Sequence, residues 1–493
     1  MTRILMTGSG TSITDIAAIA RRDAVVEIDR SVRDRLITAR RILEDAAAAG
    51  QQIYGMNTGL GANLKTSVTG DIEAFQLQLI RGRGVAVGDP LSRDVVRAVI
   101  ASRLSMLAVG GSGISLPTFQ ALLAMLNAGV HPVMPSIGSI GAGDLVLLSA
   151  MALTLVGEGK AEYRGNSYPA GAALKLAGLA PARLEPKDGI SLLNASAVSC
   201  GSGALVLFDA VKMLDAQRRA AALSFEGMAG NPLILSPTIQ RARPAPGQAE
   251  EASRLLEMLQ GSTLFGPGAP LQDPLSLRCL APIHGALADA LSRAVEIVEL
   301  ELNAAADNPV VLLDERQVLS SGNFQTPALS LAFETLGLAV AQAAAASAAR
   351  FIQMTGAGRN GLPRYLSPVG MASAGFVPLQ KTVAALMADI RHKANPVMLD
   401  FLSVSEGVED HATQSALAVR KLGEMLELWR LLIACEMLAA AQAVDQRPGH
   451  RCGQETDAVH AFVRRLAPTM VDDRPLGEDV MAIARNVLDK SVE

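Results

Sequence analysis

The chain has 493 residues, of which 49% are hydrophobic, with a formal net charge of −4 and a pI near 6.0. This balance gives no electrostatic argument for a nucleic acid or an anionic membrane surface as a partner, because both favour strongly basic proteins. The mean hydropathy of +0.28 is high, but the longest apolar stretches, residues 145–156 and 336–349, are too short or too rich in alanine to cross a bilayer convincingly. We therefore expect helices that are buried all round, and neither a nucleic-acid nor a membrane partner.

The first residues contain no apolar segment long enough for a secretory signal. The four cysteines, Cys200, Cys279, Cys435 and Cys452, are widely scattered. Their spacing matches neither a metal site nor a disulfide framework. The sequence thus predicts reduced thiols, a cytoplasmic location and no metal centre.

Helical periodicity dominates the chain. An early amphipathic helix follows a possible cap at Asp29 or Ser31, and its apolar face consists of Val32, Leu36, Ala39 and Leu43. A later one has the face Leu287, Leu291, Ala294, Val298 and Leu302. Residues 413–443 lack proline and predict one long buried helix of roughly 45 Å at ~1.5 Å per residue. Strands are expected only as short pieces, so the fold class is mainly α, with a bundle of long helices.

Glycine and proline cluster in segments where loops should leave the helices. These segments are residues 54–61, 131–143, 231–247, 265–274 and 355–368. We predict one continuous fold in two parts: a loop-rich helical region over residues 1–205, and a region of long bundle helices and C-terminal helices over residues 206–493.

Several short motifs lie in or beside these loops. In chain order they are Tyr54-Gly55-Met56-Asn57-Thr58-Gly59-Leu60-Gly61, Gly138-Ser139-Ile140-Gly141-Ala142-Gly143-Asp144-Leu145, Leu193-Asn194-Ala195, Gln272-Asp273-Pro274-Leu275-Ser276-Leu277-Arg278-Cys279, Asn303-Ala304-Ala305-Ala306-Asp307-Asn308-Pro309, Ser321-Gly322-Asn323-Phe324 and Glu409-Asp410-His411. In order and spacing they resemble the histidine and aromatic amino-acid ammonia-lyase family. The resemblance implies the helical ammonia-lyase/fumarase-like fold and a homotetramer whose sites combine loops from more than one subunit.

The same resemblance assigns roles to individual residues. It implies that Tyr54 is a catalytic base and that Arg278 holds the substrate carboxylate, for which a guanidinium fork is well shaped. A phenol serves as a base at neutral pH only where positive charge stabilises its phenolate. Further positions expected to line the site are Asn194, Gln272, Asn308, Phe324 and Glu409.

One loop departs from the family pattern. The family reads Gly-Ser-x-Gly-Ala-Ser-Gly-Asp-Leu here, and its Ala-Ser-Gly becomes the electrophile methylidene-imidazolone when the serine hydroxyl is lost as water. This chain has only Ala142 and Gly143 between Gly141 and Asp144. We therefore expect no methylidene-imidazolone and no other cofactor. The loop precedes a predicted helix, so the backbone N–H groups after Asp144 favour an anion there.

Neighbouring positions differ as well. Leu275 replaces a second catalytic tyrosine of the family, and Arg83 lies where the family has an imidazole or an apolar group. If Arg83 points inward, Arg83 and Arg278 together favour a substrate with two anionic groups. The ordinary alternative to a site role for Arg83 is that it is a solvated surface arginine. For Arg278 the alternative is a structural salt bridge.

The predicted function is that of a lyase-type enzyme acting on a small carboxylate or amino-acid-like anion. Tyr54 would transfer the proton, without the methylidene-imidazolone electrophile, in an elimination, an addition or an isomerisation. One alternative is a true amino-acid ammonia-lyase or aminomutase whose processed triad is not apparent in the sequence. Another is a catalytically inactive homologue that binds an anion.

Overall fold

The computed structural model describes residues 2–59, 71–267, 270–356, 361–370, 372–399 and 401–488. Leu60 and Gly61, at the end of the Tyr54 motif, lie outside the described residues. The same is true of residues 268–269 of the predicted loop 265–274 and of residues 357–360 of the predicted loop 355–368. The helices are α1 (Ile13–Arg21), α2 (Arg30–Ala48), α3 (Ile72–Arg81), α4 (Arg93–Ala108), α5 (Leu116–Asn127), α6 (Leu145–Leu155), α7 (Ala170–Leu176), α8 (Asp188–Leu193), α9 (Ala197–Met228), α10 (Pro237–Ala242), α11 (Gln248–Met258), α12 (Leu275–Arg278), α13 (Leu280–Leu302), α14 (Pro327–Met354), α15 (Val377–Lys393), α16 (Ser415–Asp445), α17 (Gln454–Leu466) and α18 (Gly477–Asn486).

The strands are short, as predicted. They are β1 (Arg3–Met6), β2 (Val25–Ile28), β3 (Val87–Pro90), β4 (Val130–Pro132), β5 (Pro135–Ile137), β6 (Lys160–Tyr163), β7 (Asn166–Pro169), β8 (Val310–Leu312) and β9 (Gln317–Leu319). β1 and β2 pair in parallel, and the antiparallel sheets are β3-β5, β4-β6-β7 and β8-β9. The mainly α fold class is therefore confirmed.

Two helices show how the sequence determines these elements. Asp29 is the N-cap of α2 and accepts a hydrogen bond from the backbone N–H of Ser31, which satisfies one of the helix's unpaired donors. The predicted apolar faces of α2 and α13 are both buried. The predicted long helix is α16, which begins at Ser415 and ends at Asp445.

The chain forms two compact units. The first comprises Met1–Phe208, Ala294–Ala332 and Pro396–Arg420, and the second comprises Asp209–Arg293, Phe333–Asn395 and Lys421–Glu493. The predicted division after residue 205 lies close to the break after Phe208, but it does not describe the two segments that return to the first unit. The first unit contains β1–β9 and α1–α8, and the second contains α10–α12, α15, α17 and α18.

A core cluster in the first unit holds the predicted tyrosine loop in place. Ile53 and Met56, on either side of Tyr54 and Gly55, are buried against α2 and the β8–β9 hairpin. The other buried members of the cluster are Ala39, Ile42, Leu43, Val311 and Val318. Because burying each such side chain is worth about 1.5–3 kcal/mol, the loop is fixed at both of these points.

The core of the second unit contains a buried ionic network. The Glu436 carboxylate accepts hydrogen bonds from Arg350 Nε at 2.5 Å and Arg350 Nη2 at 3.0 Å, and both side chains are fully buried. Ser224 Oγ donates to the same carboxylate at 2.7 Å, and Ser347 also donates to it. A buried charge pair of this kind is tolerated because nearly every donor and acceptor is satisfied.

Two segments are long and apolar enough to cross a membrane, judged by length and composition alone. They are Asp188–Met228 and Pro327–Met354, and 89% and 56% of their most apolar windows are buried inside the structure. Buried helices of a protein core show the same character.

Candidate functional site

The first unit contains a cavity of about 500 Å³ that brings together six of the predicted site residues. They are Tyr54, Ala142, Asn194, Asn308, Phe324 and Glu409. Polar side chains from several loops complete the lining: Gln51, Gln52, Thr58, Ser320, Gln325, Asp410 and His411. Residues far apart in sequence thus meet at one concave, mixed polar and apolar site, which is typical of a small-molecule pocket.

The loop that carries Tyr54 is closed by its own hydrogen bonds. Asn57 accepts the backbone N–H of Ile53 at 2.7 Å and donates to the carbonyl of Gln51 at 2.9 Å. Gly55 has φ +71°, which a glycine adopts without strain. The loop therefore presents the Tyr54 ring to the cavity from a fixed backbone.

Gln76 on α3 connects this loop to α8. Its Nε2 donates to the Gly55 carbonyl at 3.0 Å, and its Oε1 accepts the backbone N–H of Gly189 at 2.9 Å. The Gln76 side chain is fully buried. Gln76 lies outside the family motifs, so the sequence did not point to it as a site residue. A polar side chain on the apolar face of α3, beside Leu79 and Ile80, could have indicated a buried hydrogen-bonding role.

The loop Gly138–Asp144, which lacks the family's serine, is held by residues 413–414 and by Gln325. Thr413 Oγ1 donates to the Gly141 carbonyl at 2.8 Å, and the Gln414 N–H donates to the Ile140 carbonyl at 2.9 Å. Ala142 forms an antiparallel bridge with Gln325. Ala142 thereby lies on the cavity wall, where the family resemblance placed the electrophile.

The residues of this loop do not fit methylidene-imidazolone. The ring needs a serine side chain between Ala142 and Gly143, and the chain supplies none there. A side chain at Gly141 would overlap Thr413 Oγ1 and lie 2.7 Å from Ser415 N. The nearby Ser139 donates to Asp144 at 2.6 Å and accepts the Gly141 N–H at 3.1 Å, so its hydroxyl has a structural role in the loop.

Asp144 is fully buried at the start of α6. Burial raises the pKa of its carboxyl, and the hydrogen bonds from Ser139 and Ser199 oppose that rise. Ser199 N donates to Oδ2 at 2.9 Å. Among the described residues, the Asp144 side chain makes no capping bond to α6, so it leaves the backbone donors of the first helical turn to other acceptors.

Asn194 and Asn308, which both line the cavity, are joined by a hydrogen bond to a backbone carbonyl. Asn194 Nδ2 donates to the carbonyl oxygen of Asn308 at 3.1 Å. Asn308 Oδ1 in turn accepts the Ser321 N–H at 3.0 Å and the Ser320 hydroxyl at 3.2 Å. Because Oδ1 is already occupied by two donors, the Asn308 side chain has its amide N–H groups for a ligand.

Arg83 is electrostatically coupled to the cavity. Burial lowers the pKa of its guanidinium, while electrostatic interactions with Tyr54 and Glu409 act in the opposite direction. Arg83 Nη1 also donates to the Leu79 carbonyl at 3.2 Å. The guanidinium is therefore a positive charge within electrostatic range of Tyr54.

The segment 408–411 forms an exposed edge of the cavity in this single chain. The carbonyl of His411 accepts a 3.1 Å hydrogen bond from Gln325 Nε2. Val404 N donates to the Glu409 carbonyl at 3.0 Å, closing the short turn before it. Glu409 thus lies at the rim of the cavity, in a loop that these hydrogen bonds hold in place.

Three predicted residues belong to the second unit and do not line this cavity. Gln272 lines a smaller pocket of that unit with Asp273 and Pro274. Burial raises the pKa of the Asp273 carboxyl, and the charge of Arg278 opposes that rise. Leu275 is 62% exposed. Arg278 is therefore not among the residues of the same chain that line the cavity containing Tyr54.

Comparison with known proteins gives a consistent assignment. The family model described as aromatic amino acid lyase matches residues 11–465. A histidine ammonia-lyase of Treponema denticola is 37% identical over 482 residues, covering 97% of this chain and 95% of the relative, and one of Sorangium cellulosum is 36% identical over 494 residues, covering 97% and 96%.

Solved structures agree with these sequence matches. The ergothioneine-degrading ergothionase of Treponema denticola superposes with a TM-score of 0.95 at 31% identity, covering 99% of both chains. The phenylalanine aminomutase of Pantoea agglomerans superposes with a TM-score of 0.94 at 28% identity, covering 100% of both chains.

Proposed function

We propose a function for this chain from the premise that it belongs to the aromatic amino acid lyase family. Our proposal is a lyase that acts on a small anionic, amino-acid-like substrate without methylidene-imidazolone. The observation that carries it is the shared cavity. Tyr54, Asn194, Asn308 and Glu409 line it together with Ala142, in a loop whose residues do not fit the family's electrophile.

Tyr54 is the proposed proton-transfer group. Its ring belongs to a loop fixed by Gln76 and by the core around Ile53. Arg83 interacts electrostatically with Tyr54, and a tyrosine base needs positive charge of this kind nearby. A phenolate placed beside the substrate then removes a proton next to the substrate carboxylate, or returns it in the reverse addition.

The developing negative charge needs fixed donors. The amide N–H groups of Asn308 and the backbone N–H groups at the start of α6 are candidates, because the Asp144 side chain does not cap that helix. Glu409 at the rim suits a cationic amino group of the substrate. Elimination, addition and isomerisation remain open, since all three use the same proton transfer.

Self-association completes the proposed site. Arg278 is the expected carboxylate ligand, but it does not line the cavity that contains Tyr54 in the same chain. We infer a homotetramer in which Gln272, Leu275 and Arg278 of a neighbouring copy reach this cavity. The high exposure of Leu271 at 95%, Leu399 at 83% and Leu402 at 81% fits surfaces that are covered in an oligomer.

A second candidate is an ammonia-lyase or aminomutase with a conventionally processed loop. The observation that favours it is the 37% identity to a histidine ammonia-lyase over 97% of the chain. The replacement of a family tyrosine by Leu275 and the charge at Arg83 count against it. A third candidate, an inactive anion-binding homologue, would keep the cavity without turnover.

Two measurements on the purified protein separate these candidates. The intact mass should equal the encoded mass, whereas formation of the ring would remove two waters. Turnover should then be assayed with L-histidine, ergothioneine, aromatic amino acids, their hydroxy analogues and dicarboxylates. A mass lower by two waters would establish the second candidate, and a ligand that binds but is never converted would favour the third.

A further inference from the structure

A cluster of metal-ligating side chains lies in the second unit, apart from the cavity described above. Glu226 near the end of α9, His450 and Cys452 each offer one ligand atom, and these atoms lie within 4.8 Å of one another. His450 Nε2 lies 3.0 Å from Glu226 Oε2. Nitrogen, oxygen and sulfur donors in one place are the ligand set that Zn²⁺ prefers.

The two oxygens of Glu226 have different surroundings. Oε1 accepts the Gly453 N–H at 2.8 Å and the Thr456 hydroxyl at 2.7 Å, which secures the start of α17. Oε2 accepts the Ser262 hydroxyl at 2.6 Å and faces His450. Hydrogen bonds to both oxygens thus hold the carboxylate in place, and Oε2 also faces the imidazole.

His450 is positioned as metal-bound histidines usually are. Its Nδ1 lies 2.8 Å from Thr263 Oγ1, which can accept the Nδ1 proton and in turn donate to the Arg451 carbonyl at 3.4 Å. With the proton on Nδ1, the Nε2 lone pair would face the Glu226 carboxylate, and a cation between the two atoms would join them. An outer partner that fixes the tautomer in this way is the rule for histidine ligands.

Glu226 also lies, fully buried, in the last turn of a 32-residue helix. The C-terminal end of a helix dipole disfavours a carboxylate there, and a cation beside the carboxylate would offset that cost. His450 and Cys452 are both partly exposed, so an ion can reach the cluster from solvent.

We propose that Glu226, His450 and Cys452 bind one divalent transition-metal ion, with Zn²⁺ the best match, and with water as the fourth ligand. The scattered cysteine spacing had predicted no metal centre. Tetrahedral Zn²⁺ ligands lie ~3.3–3.8 Å apart, so the side chains need to shift by about 1 Å or less. Burial raises the pKa of the Cys452 thiol to about 12, so the ion has to displace a proton from sulfur.

The ion would have a structural role. It would join the end of α9, the loop at Thr263 and the start of α17, which are already connected by hydrogen bonds. The cluster is independent of the proposed lyase reaction, since none of its residues lines the Tyr54 cavity.

Metal content and cobalt spectroscopy of the full-length protein test the proposal. After treatment with a chelator and removal of the chelator, Zn²⁺ should return to one equivalent per chain by elemental analysis. Co²⁺ should give a thiolate-to-cobalt charge-transfer band, and Zn²⁺ should raise the melting temperature. Cys452→Ser should abolish the cobalt band and weaken Zn²⁺ binding by more than ~100-fold.

Cys279→Ser is the matched control, because Cys279 is also a free, partly buried thiol of the second unit. It should retain one Zn²⁺ and the cobalt band. A second variant, His450→Gln, should change the cobalt spectrum even if Cys452→Ser proves unstable. If the folded wild-type protein shows no cobalt band, or if Cys452→Ser binds as tightly as wild type, the cluster is a hydrogen-bonded His450–Glu226 pair only and the proposal is wrong.

Discussion

The side-chain amide of Gln76 donates a 3.0 Å hydrogen bond to the carbonyl oxygen of Gly55, the residue directly after Tyr54. The other end of the same amide accepts the Gly189 N–H at 2.9 Å. Gly189 lies in α8, whose C-cap is Asn194. One buried amide thus connects the backbones that carry two cavity residues.

Gln76→Leu should destabilise the protein by about 2–4 kcal/mol, because it leaves the Gly55 carbonyl and the Gly189 N–H buried without a partner. Gln78→Leu is the control, since Gln78 is exposed on the same helix, and it should change stability by less than ~0.5 kcal/mol. Urea denaturation measures both. Equal stability of the two variants would show that the amide is not needed to hold the loop.

Tyr54→Phe removes one hydroxyl and keeps the ring. If Tyr54 transfers the proton, turnover should fall by ~100-fold or more while ligand affinity changes little. Steady-state kinetics and thermal shifts with the same ligand separate the two effects. Tyr168→Phe, on strand β7, is the matched control and should keep wild-type turnover. Wild-type turnover in Tyr54→Phe would disprove the base assignment.

Gly141→Ala tests how tightly the loop Gly138–Asp144 is packed against its neighbours. Gly141 has φ +80°, and an added Cβ would overlap Thr413 Oγ1 and lie 2.7 Å from Ser415 N. Gly165 has the same φ of +80° with nothing within 4 Å of its added Cβ. Both substitutions cost about 1 kcal/mol in backbone strain, and Gly141→Ala should cost a further ~1–3 kcal/mol for overpacking.

Thermal or urea denaturation of the two glycine variants gives this difference directly. A Gly141→Ala protein no less stable than Gly165→Ala would mean that the loop moves freely away from Thr413. Such mobility would also remove the structural argument that places Ala142 on the cavity wall.

Glu436→Gln should be among the most destabilising polar substitutions in the second unit. It leaves the fully buried Arg350 guanidinium without its counter-charge, and breaking a buried pair in this way costs about 3–5 kcal/mol. Glu427 forms an ion pair with Arg430, and the Glu427 side chain is 68% exposed. Glu427→Gln should therefore reduce the free energy of unfolding by less than ~1 kcal/mol. Similar losses for both in urea denaturation would contradict the assigned importance of the network.

Glu301 should make stability pH-dependent. Burial raises the pKa of its carboxyl from 4.5 to about 7. The folded state therefore binds a proton more tightly than the unfolded state, so this contribution is fully present below pH 4.5 and is lost as the pH rises towards about 7. In Glu301→Gln, the free energy of unfolding should depend less on pH over that range. The stability of the variant relative to wild type should therefore be higher at pH 8 than at pH 4.

The exposed Glu315 provides the control for this profile. Glu315→Gln should keep the wild-type dependence on pH when unfolding is measured at intervals from pH 4 to pH 8. A Glu301→Gln profile parallel to that of wild type would show that the carboxyl does not titrate differently in the two states.

The sequence by itself predicted the fold class and the main helices. The Asp29 cap, the apolar faces of α2 and α13 and the long helix α16 follow from local periodicity and capping, which act within a few turns of the chain. The ordered motifs predicted the family and named six of the residues that line the Tyr54 cavity. The loss of the serine before Gly143 was likewise visible without any structure.

Only the tertiary structure decided which residues meet. Gln76 reaches Gly189 across a separation of 113 residues, and Glu226 reaches His450 across 224. It also brought Arg83 within electrostatic range of Tyr54, whereas Arg278 is not among the residues that line the cavity. No local pattern encodes such contacts, because they arise when distant helices pack and bring buried polar groups within hydrogen-bonding distance of one another.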